Sequence, residues 1–227
     1  MASGTLYLVG TPIGNLGDIT PRALETLKSV VVIAAEDTRR TGQLLKKFEI
    51  STPMVSLHEH NERTRAAELV RRLQGGESVA LVTDAGMPVV SDPGAFLVAQ
   101  AAGAGVPVTA VPGASAVVTA LALSGFRGEK FRFEGFLPKK SAAMERWLEG
   151  LAGEEAPVVC YESPYRLTKT LEAIRKVLGE VPVVVARELT KMHEEVTRGS
   201  TSEVLKRYTE RPAKGEVTLI FCPKREP

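Results

Sequence analysis

The sequence has few cysteines and no long apolar run, and both shortages limit what the protein can be. Cys160 and Cys222 are its two cysteines, and each lies in an apolar, strand-like run. This usage fits small buried side chains in a reducing compartment. No apolar run approaches the roughly 18 residues of a membrane span, and no basic-then-apolar leader is visible. We therefore expect a cytoplasmic protein with no membrane partner.

A strong charge of either sign is also lacking. The 29 basic and 27 acidic side chains leave a net charge of +2. This balance does not indicate a nucleic-acid-binding protein, and it does not exclude one. Any attraction to phosphate must come from local clusters of basic residues.

Three common site motifs are missing. The first predicted strand ends in the glycine-rich stretch 10–18, and Glu36-Asp37 end the second, where a ribose-binding acid would lie. The glycine order is G-x-x-x-G-x-x-G, however, which is not the dinucleotide spacing, and no phosphate-loop Gly-Lys-Ser/Thr follows. His58 and His60 lack a third ligand at a metal-binding spacing. We expect neither a dinucleotide site nor a metal site.

Strand-like and helix-like runs alternate in the first half of the chain. Five apolar strands with helices between them predict a parallel, doubly wound α/β sheet in residues 1–124. The pattern changes near 124–130, and residues 131–136 alternate polar with apolar. A second α/β domain with a mixed sheet is therefore predicted for residues 125–227.

The stretch 78–94 carries the most information. The apolar run Val79 to Val82 predicts a buried strand, and the loop after it is about twice the usual 2–6 residues. In an open α/β sheet, ligands bind beyond the carboxyl ends of the strands. This long loop therefore favours a binding role over an ordinary connection rich in turn formers. The residues expected to line it are Asp84, Gly86, Ser91, Asp92 and Gly94.

Other strand ends carry polar stretches as well. In 112–116, Gly113 or Ser115 could cap the next helix, and free N–H groups there could hold an electron-rich ligand atom. The alternative is a plain helix cap. The stretches 161–167 and 186–195 also follow apolar strands, and an ion-pair network among Glu162, Arg187 and Glu188 is an alternative to a ligand-facing edge there.

Six motifs occur in a fixed order between Gly4 and Phe221. They are Gly-Thr-Pro-Ile-Gly-Asn-Leu-Gly-Asp-Ile-Thr, Glu-Asp-Thr-Arg, Asp-Ala-Gly-Met-Pro-Val-Val-Ser-Asp-Pro-Gly, Val-Pro-Gly-Ala-Ser-Ala, Tyr-Glu-Ser-Pro-Tyr-Arg-Leu and Arg-Glu-Leu-Thr-Lys. The set resembles the tetrapyrrole-methylase-like class of S-adenosylmethionine-dependent methyltransferases. Residues 36–39 and 161–164 are similar to the branch that methylates a cytidine 2′-hydroxyl in small-subunit (16S) ribosomal RNA.

This resemblance implies two α/β domains with S-adenosylmethionine in the cleft between them, and a homodimer. It also implies that the substrate is small-subunit ribosomal RNA, which we expect to be recognised on the assembled 30S subunit. The cofactor contacts carried over by position are Pro12, Asp84, Ala85, Gly86, Met87, Gly113, Ser115, Ala116, Tyr161 and Ala186. The residues near 214–216 would lie close to them.

The catalytic residues stay open at this point. A general base would accept the proton of the ribose hydroxyl, and the candidates are Asp84, Glu36, Asp37 and Glu162. The candidate RNA-binding residues are Arg39, Arg40, Lys139 and Lys140, each of which could instead belong to a solvated surface. The alternative functions are a small-molecule methyltransferase of the same fold, acting on a tetrapyrrole or a modified amino acid, and a non-catalytic nucleotide-binding interaction protein.

Overall fold

The computed structural model describes residues 3–224, and the chain divides into two compact units, Met1–Ser115 and Ala116–Pro227. The N-terminal unit holds a five-stranded sheet in the order β3-β2-β4-β1-β5. Every strand pair in it is parallel. Its elements are β1 (Leu6–Val9), α1 (Pro21–Ser29), β2 (Val32–Ala35), α2 (Thr38–Lys47), β3 (Met54–Ser56), α3 (Glu62–Gln74), β4 (Val79–Val82), α4 (Ala95–Gly103) and β5 (Val108–Val111).

Helices cover both faces of this sheet. Strands β2 and β4 are buried along their whole length, as expected for strands in the middle of a covered parallel sheet. Alternate side chains of β4 enter different cores: Leu81 packs with α3 and α4, whereas Val82 packs with α1 and α2. The predicted doubly wound sheet is therefore confirmed.

The C-terminal unit holds a mixed sheet in the order β6-β7-β10-β8-β9. Strands β6 and β7 are parallel, and the other pairs are antiparallel. Residues of α6, α7 and α8 form one core with the sheet. The elements are α5 (Ala116–Ser124), β6 (Arg132–Phe136), α6 (Ser141–Glu149), β7 (Val158–Glu162), α7 (Leu167–Leu178), β8 (Pro182–Arg187), β9 (Glu195–Ser200), α8 (Thr201–Glu210) and β10 (Val217–Phe221).

Helix α5 lies on the C-terminal side of the division, whereas the change in sequence pattern placed a boundary near residue 125. The helix contacts β7, β8, β9 and β10. Its sequence, AVVTALALS, is apolar on almost every side; Val117, Ala120 and Leu121 are buried, whereas Val118 and Leu123 are exposed. This packing is a long-range property of the fold, and local sequence texture does not reveal it.

Both cysteines are buried thiols. Burial raises the pKa of the Cys160 thiol well above its ordinary value, so this side chain is an inert part of the core. Within residues 3–224, no helix combines the length and the apolar character that crossing a bilayer requires.

Candidate active site

The strand order of the N-terminal unit marks a place for a ligand. Strands β1 and β4 are neighbours. After β1 the chain crosses to β2, which lies on the far side of β4, and after β4 it crosses to β5, which lies on the far side of β1. Crossover connections that leave neighbouring strands in opposite directions open a crevice at the carboxyl ends of those strands. The loops at this crevice are residues 10–15 and 83–94.

Backbone hydrogen bonds join these two loops. The N–H of Thr11 donates to the carbonyl of Gly86 at 2.9 Å, and the N–H of Gly86 donates back to Thr11 at 3.1 Å. The buried hydroxyl of Thr11 also donates to the carbonyl of Thr83 at 3.1 Å. The loops after β1 and β4 therefore form one connected surface of main chain.

The loop after β5 meets the same surface. A Cβ on Gly10 would lie 2.6 Å from the nitrogen of Gly113 and 2.7 Å from the sulfur of Met87. A Cβ on Gly113 would lie 2.8 Å from the carbonyl carbon of Gly10. Both glycines are thus required by close backbone approach. The predicted cofactor residues Gly86, Met87 and Gly113 are brought together, and Pro12 follows Thr11 in the same loop.

The loop 83–94 has an unusual backbone. Gly86 and Gly94 have φ of 90° and 126°, and Val89 and Ser91 also have positive φ, at 77° and 66°. A left-handed valine is rare because its branched Cβ crowds the main chain. Each such residue costs on the order of 1–3 kcal/mol, so the surrounding structure must hold the loop in place.

Glu62 holds the far end of this loop. Its Oε1 accepts hydrogen bonds from the backbone N–H groups of Gly94 and Phe96, both at 2.9 Å. The carboxylate thereby caps α4 from the first turn of α3. Sequence reasoning missed this role, because the two N–H groups that Glu62 accepts from lie more than thirty positions further along the chain.

The predicted acidic residues at the ends of β2 and β4 do lie together. The hydroxyl of Thr83 donates to Glu36 Oε2 at 2.7 Å, and the N–H of Asp37 donates to Asp84 Oδ1 at 3.2 Å. Asp84 also pairs with Arg40, at 3.3 Å between Oδ2 and Nη1. Glu36, Asp37 and Asp84 therefore form one connected group.

The environments of these carboxyl groups differ in their effect on protonation. Burial and then the negative charge of Glu36 raise the pKa of Asp84. The same two causes raise the pKa of Asp92 to about 6. Hydrogen bonds from Arg39 lower the pKa of Asp37. Asp92 was predicted to line the loop but was not among the base candidates, and only its three-dimensional surroundings distinguish it.

Glu162 has a different setting. It is 3 % exposed, and its oxygens accept hydrogen bonds from the Thr170 hydroxyl at 2.6 Å and the Ser163 N–H at 2.7 Å. Arg166 lies 3.5 Å away. A buried carboxylate with its oxygens in use favours a structural role over that of a general base.

Glu162, Arg187 and Glu188 do form ion pairs, but with other residues and not with one another as the alternative network required. Arg187 pairs with Glu195 at 3.0 Å, and Glu188 pairs with Lys191 at 2.9 Å. Since Glu162 pairs with Arg166, each member has its own partner close by. The local sequence predicted the charges, and the strand pairing decided the partners.

Two predicted cofactor residues occupy one row of the mixed sheet. Thr218 of β10 pairs with Tyr161 of β7 on one side and with Ala186 of β8 on the other. Thr218 is buried, and no motif in the sequence indicated its position between them. Ser115 and Ala116 lie at the division of the chain, and Ala85 is an exposed neighbour of Gly86.

The candidate RNA-binding residues are exposed in both units. Arg39 and Arg40 lie in the first turn of α2, where Arg39 pairs with Asp37 at 2.7 Å. Lys139 and Lys140 precede α6 in the C-terminal unit. Among residues 3–224, no three His, Cys, Asp or Glu side chains form a cluster that could hold a metal ion.

Comparison with known proteins agrees with this architecture. The family model "Tetrapyrrole (Corrin/Porphyrin) Methylases" matches residues 5–205. The curated protein "Ribosomal RNA small subunit methyltransferase I" of Synechocystis sp. is 50 % identical over 96 % of this chain and 79 % of its own. The protein of the same name in Thermotoga maritima is 48 % identical over 97 % of this chain and 99 % of its own.

A solved structure shares the fold. It is uroporphyrin-III-C-methyltransferase from Thermus thermophilus, with a TM-score of 0.64 and 20 % identity over 96 % of this chain and 94 % of its own. At that identity, the likeness shows the fold alone. The family model covers most of the chain, and both curated relatives align over nearly all of it, so the resemblance of the six motifs is confirmed. The chain belongs to the tetrapyrrole (corrin/porphyrin) methylase family.

Proposed function

We propose that this protein transfers a methyl group from S-adenosylmethionine to a cytidine ribose 2′-hydroxyl in small-subunit ribosomal RNA. The observation that carries the proposal is the identity of about half, over nearly the whole chain, to relatives named ribosomal RNA small subunit methyltransferase I. A methyltransferase for small-subunit ribosomal RNA was also the function predicted from the motifs.

The N-terminal loops fit such a cofactor. Three strand ends meet there as bare main chain, because Gly10 and Gly113 leave no room for a Cβ and Gly86 needs a positive φ. N–H and carbonyl groups of such loops bind a polar ligand while keeping their own geometry. When bound, S-adenosylmethionine supplies a methyl group already activated on a sulfonium. Its proposed contacts are Pro12, Asp84, Ala85, Gly86, Met87, Gly113, Ser115 and Ala116, with Tyr161 and Ala186 from the C-terminal unit.

The protein must orient the ribose oxygen and accept one proton. Orientation can supply about 7–11 kcal/mol of the rate enhancement, and a general base adds about 10²–10⁴-fold. We assign the proton to Asp92 or Asp84, because both lie in the loop 83–94 and burial raises the pKa of each. Asp37 is a poorer acceptor, since hydrogen bonds from Arg39 stabilise its ionised form.

The remaining parts of the proposal concern setting and partners. With a net charge of only +2, the protein has little general attraction for free RNA, which supports a folded particle such as the 30S subunit as substrate. We also propose a homodimer, a cytoplasmic location and a reaction that uses no metal.

A methyl-transfer assay tests the proposal. Labelled S-adenosylmethionine in chelator is incubated with assembled small subunits, with a tetrapyrrole precursor, or with no substrate. We expect label in the ribosomal RNA, with the added mass on a cytidine ribose after nuclease digestion and mass spectrometry. Label in the tetrapyrrole alone would make the protein a small-molecule methyltransferase. Undiminished transfer to RNA with deoxyribose at the target nucleotide would move the acceptor to the base.

A further inference from the structure

Two segments of the C-terminal unit meet at one edge of the mixed sheet. Strands β6 and β7 are parallel, so the residues after Phe136 and after Glu162 leave the sheet at the same edge. Arg166 connects them, because its Nη2 donates to the carbonyls of Leu137 at 3.2 Å and Pro138 at 2.8 Å. The segments 136–140 and 163–169 therefore lie against each other at this edge.

The connection is anchored in the core. Arg166 lies 3.5 Å from Glu162, which is buried and also holds the Thr170 hydroxyl and the Ser163 N–H. The guanidinium is thus held between a buried carboxylate and two carbonyl groups. A surface fixed in this way loses little conformational freedom when a ligand binds.

Aromatic rings stand in solvent on this surface. Tyr165 is 93 % exposed and Phe136 is 66 % exposed. Phe136 packs against Tyr161, with 5.5 Å between ring centroids, and this contact restricts the orientation of its ring. A single exposed apolar side chain needs no explanation. Two rings on one anchored surface offer flat faces to a ligand that stacks.

The surface is also basic. Lys139, Lys140 and Lys169 are exposed, and neither 136–140 nor 163–169 contains an aspartate or glutamate. Glu162, next to the second segment, is buried and paired. The protein as a whole is nearly neutral, so this concentration of positive charge is local. It complements a ligand that carries repeated negative charge.

We infer that this aromatic–basic ledge, formed by Phe136, Lys139, Lys140, Tyr165 and Lys169, binds a single-stranded segment of RNA. Bases stack on the two rings, and the lysines contact phosphates, which is how single strands are bound without reading their sequence. The inference rests on the proposed function, since it assumes an RNA substrate. It adds a surface that holds RNA beside the target nucleotide.

Fluorescence anisotropy with a labelled single-stranded oligoribonucleotide tests the stacking. Loss of one stacking ring weakens binding about tenfold, so we expect that effect for Tyr165→Ala. Tyr165→Phe keeps the ring and should bind as the wild type does. Because Tyr165 is almost fully exposed, neither change threatens the fold. Wild-type affinity in Tyr165→Ala, or no oligonucleotide binding by the wild type, would overturn the inference.

Salt dependence tests the charge. Removing two phosphate contacts to a single strand makes the negative slope of log K against log salt shallower by about 1.4. We expect this change for the double variant Lys139→Ala with Lys140→Ala. The matched control is Lys28→Ala with Lys206→Ala, which removes the same charge from two exposed sites elsewhere. An equal change of the salt slope in both double variants would mean that only the total charge of the protein matters, and it would refute RNA binding at the ledge.

Methyl transfer to assembled small subunits separates this inference from the proposed function. We expect Tyr165→Ala to raise the apparent KM for the particles and to leave kcat unchanged. An unchanged KM, with normal transfer by the wild type, would refute the ledge and leave the proposed function standing. RNA binding that depends on the ledge, without methyl transfer to any RNA, would support the ledge and refute the proposed function.

Discussion

The loop after β4 and the turn after β7 both follow buried strands, but they use their polar groups in opposite ways. In the loop 83–94, backbone bonds and glycines build the shape, and two carboxyl groups there have a raised pKa. In the turn after β7, the carboxylate oxygens of Glu162 accept hydrogen bonds from Thr170 and Ser163 and pair with Arg166. The two strand ends therefore differ in what holds their shape: main-chain contacts between loops in 83–94, and a buried carboxylate in the turn after β7.

The largest effect should come from breaking the turn after β7. Glu162→Ala removes a buried carboxylate and leaves the buried Thr170 hydroxyl without its partner, so we expect a loss of about 3 kcal/mol in the free energy of unfolding. Urea denaturation measures it. Glu172→Ala, an exposed glutamate on α7, is the control. Equal stability of the two variants would show that the network is dispensable.

The next effect concerns the meeting of the loops. In Gly113→Ala the new Cβ would lie 2.8 Å from backbone atoms of Gly10, so the loops after β1 and β5 must move apart. We expect cofactor affinity to fall at least about tenfold, or 1.4 kcal/mol. The control is Gly103→Ala in α4, where a Cβ meets nothing within 4 Å. If calorimetry finds wild-type cofactor affinity in both variants, the loop after β5 does not belong to the cofactor site.

A smaller effect is expected from the support of the loop. Glu62→Ala removes the acceptor of two N–H groups at the start of α4, a change that typically costs about 1 kcal/mol. Because the loop is strained, cofactor binding should weaken as well. Glu62→Gln keeps an oxygen acceptor and should restore most of both. Cofactor affinity that stays at the wild-type value in Glu62→Ala would make this residue a helix cap and nothing more.

The smallest effect depends on pH. The folded-state pKa of Asp92 is raised from 3.8 to about 6, so folding favours its protonated form, and this contribution to stability is lost as the pH rises through about 6. A fully buried group would lose roughly 3 kcal/mol, and solvent screening of this half-buried one reduces the loss to about 1 kcal/mol. Asp92→Asn should therefore be more stable than wild type at pH 8.

The same variant tests the assignment of the base. If Asp92 accepts the ribose proton, wild-type activity should rise with pH through about 6, and Asp92→Asn should lose both the activity and this pH dependence. Denaturation and single-turnover transfer at pH 5 and pH 8 measure the two effects. A variant that is no more stable at pH 8 than wild type, with an unchanged pH profile, would return the role to Asp84.

Local patterns in the sequence predicted the fold class of both units, although not the side of the division on which α5 lies. The apolar run Val79 to Val82 predicted β4, and the alternation of five apolar strands with helices predicted the parallel sheet; both are confirmed. The acidic residues at the ends of β2 and β4 were expected near the site because parallel strands end at a common edge. These features depend on neighbours in the chain, which the sequence displays directly.

Other features depend on contacts between distant residues. Glu62 caps a helix that begins more than thirty positions later, and the pKa of Asp92 depends on Glu36 from another strand end. Likewise, Thr218 is placed between Tyr161 and Ala186 only by the order of strands in the mixed sheet. No periodicity or motif carries such information, so these roles appear only in the folded chain.

Titration of S-adenosylmethionine into two variants tests the central comparison most directly. Gly86→Val places a branched side chain at a φ of 90° in the loop after β4, whereas Glu162→Gln removes the negative charge paired with Arg166 in the turn after β7 and keeps the side-chain volume. In chelator, with folding checked by circular dichroism, we expect Gly86→Val to bind at least about tenfold more weakly than wild type and Glu162→Gln to bind as wild type does. Normal binding by Gly86→Val with weakened binding by Glu162→Gln would contradict the account.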